Sequence, residues 1–177
     1  MNKILVIVAH PDIENSVINQ RWIAELNNNP NKFTVHNLYK TYPDGAIDVL
    51  KEQQLLESYE TIIFQFPFYW FSCPPLLKKW IDETITYGWA YGSTSAYKMK
   101  DKKIALAISA GIDEQEYAAS GKYKYTLAQL TTPFELTFEY VRADYKYFFA
   151  YYGIELNATP EWIEKSVTKY MDFVDTL

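Results

Sequence analysis

The run from Lys3 to Ala9 (Lys-Ile-Leu-Val-Ile-Val-Ala) limits the possible folds of this chain more than any other stretch. It is apolar and rich in β-branched residues, with no alternation. A strand with one wet face alternates. A strand with none reads as a continuous run, and that is the habit of a parallel sheet covered by helices on both faces. Thr61 to Phe66 and Lys103 to Ile108 read the same way. Phe33 to Leu38 alternates and is a further strand candidate, and Tyr145 to Tyr151 is a fifth.

Helical segments fall between these strands. Ser16 is placed to cap a helix that carries Val17, Trp22, Ile23 and Leu26 toward the core and ends at Asn27 to Pro30. After a turn at Tyr42-Pro43-Asp44-Gly45, Asp48 to Leu56 reads as helix. Pro74-Pro75 opens another, with Leu76, Leu77, Trp80 and Ile81 on one stripe. Tyr125 to Leu130 reads as helix. Pro133 to Arg142 fits strand by alternation and helix by length, and helix is preferred because a strand candidate follows. Thr159-Pro160-Glu161 starts the last helix with a cap, a proline and an acid, and Ile163, Val167, Tyr170, Met171 and Val174 give it an apolar face. Right-handed crossovers turn this β-α alternation into one α/β domain, residues 1–177, with a five-stranded parallel sheet between helical layers.

Composition narrows the function classes. The net charge is −5, with no basic stripe, which speaks against nucleic acid. The single cysteine, Cys73, excludes an internal disulfide framework and a cysteine-rich metal site, and no spaced acid or histidine cluster marks a metal. No leader and no membrane-spanning run is read, so a cytoplasmic protein is expected. Aromatics are dense, 18% of the chain, and part of them is expected to line a pocket or a subunit contact.

Ligands of such sheets sit outside the carboxyl ends of the strands. Three loops lie there. In the first, His10 ends a strand, while Ser16 and Asn19 flank a helix start whose free N–H groups favour an anion such as phosphate. Taken alone, that loop reads more simply as a capped helix with a surface histidine. In the second, Pro67 is followed by Phe68, Tyr69, Trp70 and Phe71. Four consecutive aromatics cannot all face one core, and they make a shelf for a flat ring such as a flavin. In the third, Ser109-Ala110-Gly111 offers backbone donors for the negative edge of a reduced flavin, with Tyr117 and Tyr123 beyond. From composition alone this third loop is an ordinary surface loop. Cys73 reads as a structural thiol and His36 as a structural strand residue.

These residues together resemble a known family, the flavodoxin-like NAD(P)H:quinone oxidoreductases of the DT-diaphorase type. The short bacterial members are most similar, including ancillary proteins of glutathione-gated potassium-efflux systems and modulator-type quinone reductases. The matching pieces are Ala9-His10-Pro11 with Ser16 and Asn19, Tyr39 to Pro43, Phe66 to Phe71, Pro74 to Asp82, and Gly88-Trp89-Ala90-Tyr91-Gly92. The resemblance implies a three-layer flavodoxin-like sandwich with strand order 2-1-3-4-5. It implies FMN (FAD being possible) with NAD(P)H as co-substrate, and two-electron ping-pong reduction of a quinone or similar electrophile. On that reading His10, Ser16 and Asn19 hold phosphate and ribityl, and Pro67 to Phe71 wall the ring. Ser109, Ala110 and Gly111 hold its polar edge, with Ser-Ala where the family has Thr-Thr and Ile112 where it has a second glycine. Tyr117 is the pocket tyrosine, and Tyr123 stands where many larger relatives carry histidine, as the second catalytic candidate. A homodimer is implied, with contact through Tyr87 to Tyr91 and the helix from Pro75. The alternatives are a regulatory subunit of a membrane potassium-efflux transporter and a flavodoxin-like electron carrier.

Overall fold

A computed structural model of the protein describes residues 3–177. Five parallel strands form one sheet in the order β2-β1-β3-β4-β5: β1 is Ile4–Val8, β2 Phe33–Asn37, β3 Thr61–Pro67, β4 Lys103–Ala110 and β5 Asp144–Tyr152. Every residue of β1 is buried, as an unalternating run requires. Its side chains still divide by the pleat. Leu5 and Ile7 enter one core and Ile4, Val6 and Val8 the other.

One core lies under α1 (Val17–Asn27) and α7 (Pro160–Val174). Ser16 caps α1 as expected, but the buried stripe is Ile18, Trp22 and Leu26. Val17, assigned to the core from sequence, is 46% exposed. The reason is helical phase: Ile18, Trp22 and Leu26 are spaced by four, and Val17 sits a further 100° round the helix. The two helices are tied where Trp22 Nε1 donates to buried Ser166 Oγ at 2.8 Å.

The other core is covered by α3 (Val49–Glu57), α4 (Pro75–Thr84) and α5 (Leu127–Tyr140), with one-turn α2 (Leu38–Thr41) beside them. The expected stripe on α4 is buried throughout. Phe64 from β3 lies between Trp80 of α4 and Phe138 of α5, with ring centroids at 5.7 and 5.1 Å. Rings buried this completely contribute on the order of 2–3 kcal/mol each. Leu38, read as the end of β2, instead opens α2, because the Asn37 side chain accepts the Lys40 N–H and starts a helix.

The segment Leu127–Tyr140 is one helix although Pro133 lies inside it. Pro133 is exposed and removes one ladder bond, that to the Gln129 carbonyl; the nearby threonine hydroxyls back-bond to other carbonyls, Thr131 to Leu127, Thr132 to Ala128 and Thr137 to Pro133. A capping box of Thr126 and Gln129 fixes its start.

His36 is structural in a more specific way than a strand position reveals. Its Nε2 lies 3.0 Å from both carboxylate oxygens of fully buried Glu52. Tyr42 Oη donates to the same carboxylate at 2.5 Å and Trp80 Nε1 at 2.8 Å. Burial pushes the Glu52 carboxyl up, but these donors outweigh it and hold it below the usual range.

Candidate functional site

The chain runs from β1 outward to β2 and then returns to β3 on the other side of β1. That reversal opens a crevice at the carboxyl ends of the strands. A cleft of about 320 Å³ lies there, lined among others by His10, Ser16, Asn19, Phe68, Ser109 and Glu155. A hollow of about 390 Å³ lies beside β2, but none of the candidate residues lines it.

One end of the cleft is polar and tightly organised. Ser16 Oγ accepts from the backbone N–H of Asn19 and from its side-chain amide, both at 3.2 Å. Its own O–H proton is left for a ligand. Asn19 does not reach into the cleft as a free donor. It is 1% exposed, and its Nδ2 donates to Ser109 Oγ at 2.8 Å, tying the start of α1 to the end of β4. Gln65 of β3 supports it, donating at 3.3 Å to the Asn19 backbone and side-chain oxygens, while Tyr170 of α7 donates to Gln65 Oε1 at 3.3 Å. Gln65 and Tyr170 escaped the sequence reading. The signal for Gln65 was a lone polar residue within an apolar run.

His10 is held as a neutral ring. The Asp12 N–H donates to its Nδ1 at 3.1 Å, so the ring proton is on Nε2. Burial pushes its pKa below the ordinary value, against the opposing pull of Asp12. The ring therefore offers a ligand a single Nε2–H donor. The Asp12 carboxylate accepts from Asn15 Nδ2 at 2.8 and 3.0 Å. The first amides of α1 have no intrahelical acceptor and face the same region.

The other end is aromatic and exposed. The Phe68 N–H donates to Ser109 C=O at 2.8 Å, anchoring the loop to β4. Tyr69 and Ser72 then exchange backbone hydrogen bonds at 3.1 and 3.0 Å around a two-residue turn. Trp70 (φ 48°) and Phe71 (φ 60°), both left-handed, occupy its centre. This is the pattern of a type I′ turn, normally filled by Asn-Gly. Two bulky residues there hold strain of about 1–2 kcal/mol each. Trp70 is 84% exposed.

Behind the turn the rings form a wall. Phe68 meets Phe71 at 6.4 Å and Tyr117 at 5.9 Å; Phe71 meets Tyr123 at 5.1 Å; Tyr117 meets Tyr123 at 5.0 Å and Tyr152 at 5.7 Å. Tyr117 is buried, and desolvation, with Tyr123 and Glu155 nearby, pushes its hydroxyl up to about 12.

The third loop divides. Ser109 is engaged by Asn19, Ala110 is packed into the core, and Gly111 lines the cleft. A Cβ at Gly111 would stand 2.5 Å from Glu155 Oε1 on the short helix α6 (Ile154–Asn157), so a side chain there would displace the exposed Glu155 carboxylate from the edge of the cleft. Sequence reasoning missed Glu155, which nothing local distinguishes from any exposed acid. Cys73 is buried, its thiol pushed up by burial, so it is no ready nucleophile. Among the described residues no cluster of His, Cys, Asp and Glu could hold a metal, and no helix is long and apolar enough to cross a membrane.

The site thus joins a polar end suited to a phosphate with an aromatic wall suited to a flat ring. Residues 2–174 match the family described as having a flavodoxin-like fold. The chain is 44% identical over 172 residues to an NAD(P)H oxidoreductase of Bacillus subtilis, YrkL, covering 97% of each chain. It is 42% identical over 135 residues to the glutathione-regulated potassium-efflux ancillary protein KefG of Pectobacterium atrosepticum, covering 76% of this chain and 73% of that one. Among solved structures it is similar to general stress protein 14 of Treponema denticola in complex with FMN, at 44% identity, a TM-score of 0.93 and 98% coverage of both chains.

Proposed function

This chain belongs to the flavodoxin-like family, and from that premise we propose that it is an FMN-dependent NAD(P)H oxidoreductase that reduces quinones or similar flat electrophiles. The observation that carries the reading is one cleft lined by His10, Ser16 and the start of α1 and also by Pro67 and Phe68, with Phe68 packed in turn on Phe71 and Tyr117 of the ring wall, which lie outside the cleft's lining. The residues fit FMN. Its phosphate would sit at the polar end, where a neutral imidazole, a free hydroxyl and unpaired amides are all donors. Its ribityl hydroxyls would meet Ser109 and the Glu155 carboxylate, and its ring the Pro67 to Phe71 turn. Bound FMN supplies hydride acceptance from NAD(P)H and two-electron delivery to the acceptor.

The protein's own residues do the rest. The buried Asn19–Ser109 link fixes the spacing between the phosphate end and the ring edge. The backbone at Gly111 offers donors where negative charge develops. Tyr117 stays protonated at any ordinary pH and can hold an acceptor's oxygen, with Tyr123 against it. Trp70 and Phe71 exclude water from the face a second flat molecule would cover.

Two copies are proposed to associate through the exposed apolar patch of Tyr87, Leu136 and Tyr140, with Tyr91 packed on Tyr140 at 5.5 Å. A monomer in sedimentation at micromolar concentration would exclude this. The similarity to KefG favours a second role, as an ancillary protein of a potassium-efflux transporter in the cytoplasm, and co-purification with such a transporter tests it.

The primary test is an absorption spectrum of the purified protein followed by anaerobic NADPH. Flavin bands that bleach, and recover with a quinone, are the expected result. A colourless protein that takes up no added FMN would overturn the reading.

A further inference from the structure

A further cavity, about 340 Å³, lies between β5, α7 and the loop after β4. One wall is α7, which presents Trp162, Lys165 and Lys169 at spacings of three and four, hence on one face. The other wall is Asp113 and Glu114 from the loop after β4, and between them the edge strand β5 lines the cavity at Tyr151, whose ring faces α7, and at Tyr152, whose ring faces the opposite side. Trp162 packs on Tyr151 at 4.5 Å, and Tyr151 Oη donates to the Trp162 carbonyl at 3.0 Å, so the aromatic surface is fixed. Lys169 Nζ lies 5.7 Å from the Tyr151 ring.

Three features point to a ligand. Among the described residues neither Lys165 nor Lys169 joins an ion pair, so both ammonium groups facing the cavity are available. The acids opposite are partly committed, since Asp113 Oδ1 accepts from Asn157 Nδ2 at 3.3 Å. The cavity and the aromatic wall also meet at one residue. Tyr152 lines the cavity and packs its ring on Tyr117, part of the aromatic wall. Neighbouring strands are spaced about 4.8 Å, so the shelf on β3 and the lining on β5 are about 10 Å apart across the sheet. A molecule with a flat ring at the shelf could place its other end here.

We propose that this cavity receives the adenosine end of NADPH, with Lys165 and Lys169 binding its 2′-phosphate and the Trp162–Tyr151 surface bearing the base. Two ammonium groups one helical turn apart can donate to one phosphate together. Glu114 stands at the rim and can accept a ribose hydroxyl. The consequence is a preference for NADPH over NADH, which no local motif records, because the lysines, the aromatic surface and the rim come from segments far apart in the chain. The proposal rests on the oxidoreductase reading, yet its test separates the two.

Calorimetric titration of the intact protein with adenosine 2′,5′-bisphosphate and with 5′-AMP reads the site without catalysis. The bisphosphate is expected to bind about tenfold more tightly than AMP, and Lys165→Ala/Lys169→Ala to remove that margin. In the FMN-loaded protein the same variant should shift the ratio of KM for NADPH to KM for NADH about tenfold. Equal binding of both nucleotides, or a margin that survives the double substitution, overturns the proposal. Lysine-dependent bisphosphate binding without any flavin bleaching by NADPH would leave the subsite standing and reject the oxidoreductase reading. Bleaching by both coenzymes with no lysine dependence would do the reverse.

Discussion

The two ends of the cofactor cleft are built on opposite terms. At the polar end, Asn19, Ser109 and Gln65 are buried and satisfied by one another, and the hydroxyl of Ser16, one imidazole N–H and the first amides of α1 are left over. At the aromatic end, Trp70 and Phe71 are exposed and sit in a backbone conformation that suits glycine. The first end is stable without a ligand and contributes to the fold. The second stores strain and apolar exposure that a bound ring would relieve. Binding at the polar end is therefore pre-organised, and binding at the aromatic end is where the ligand stabilises the protein.

The largest effect expected from this contrast is at Asn19. Asn19→Leu leaves Ser109 Oγ buried without its donor and takes from Gln65 Nε2 one of its two acceptors, the backbone carbonyl remaining, and should lower stability by about 2–3 kcal/mol while releasing FMN. Urea denaturation and flavin retention on gel filtration measure the two together. Loss of flavin with the denaturation midpoint unmoved would break the comparison, because the link would then serve binding alone.

Next is Tyr117→Phe. The hydroxyl is buried beside Tyr123 and Glu155 and stays protonated below about pH 12. Its removal should slow acceptor reduction by about tenfold and leave FMN affinity unchanged. The pH profile of wild-type turnover should then show no limb from this group up to pH 10. A limb that vanishes in the phenylalanine variant would show that the hydroxyl ionises in the assay range.

Trp70→Gly sharpens the contrast by opposing the two effects within one variant. Glycine removes the left-handed strain but adds freedom to the unfolded chain, so the apo protein should change by about 1 kcal/mol or less, in the stabilising direction. FMN should bind more weakly. Destabilisation of the apo protein would mean that Trp70 packs rather than waits.

These differences also decide what could be read from sequence. The sheet was legible because runs such as Lys3 to Ala9 admit one environment, and the shelf because four aromatics follow a strand end. The Asn19–Ser109 bond was not, since its partners are ninety residues apart and each has a simpler local role. Val17 was misplaced because an apolar residue beside a cap looks like the start of a stripe, whereas phase decides. Pro133 divided the view of α5 because a proline reads as a helix boundary, whereas here it costs an exposed helix face one hydrogen bond and the helix continues. Lys165 and Lys169 carried no signal because a basic pair on a helix is ordinary until a pocket opens beside it.

The smallest expected effect is at His10, and it tests the polar end by sign. Burial lowers the pKa of His10 below that of the unfolded chain, so the folded apo protein binds fewer protons there. Its stability contribution must fall as pH drops through the unfolded value near 6.5. A phosphate at Nε2 favours the charged ring and raises the pKa, so the bound form takes up protons more readily and the loss is reduced. Apo stability should therefore decline from pH 7.5 to 5.5, with a shallower decline in the FMN complex, and His10→Asn should remove the difference between the two. If the apo and FMN-bound slopes are already equal in the wild type, the phosphate lies elsewhere and the polar end is only a well-capped helix.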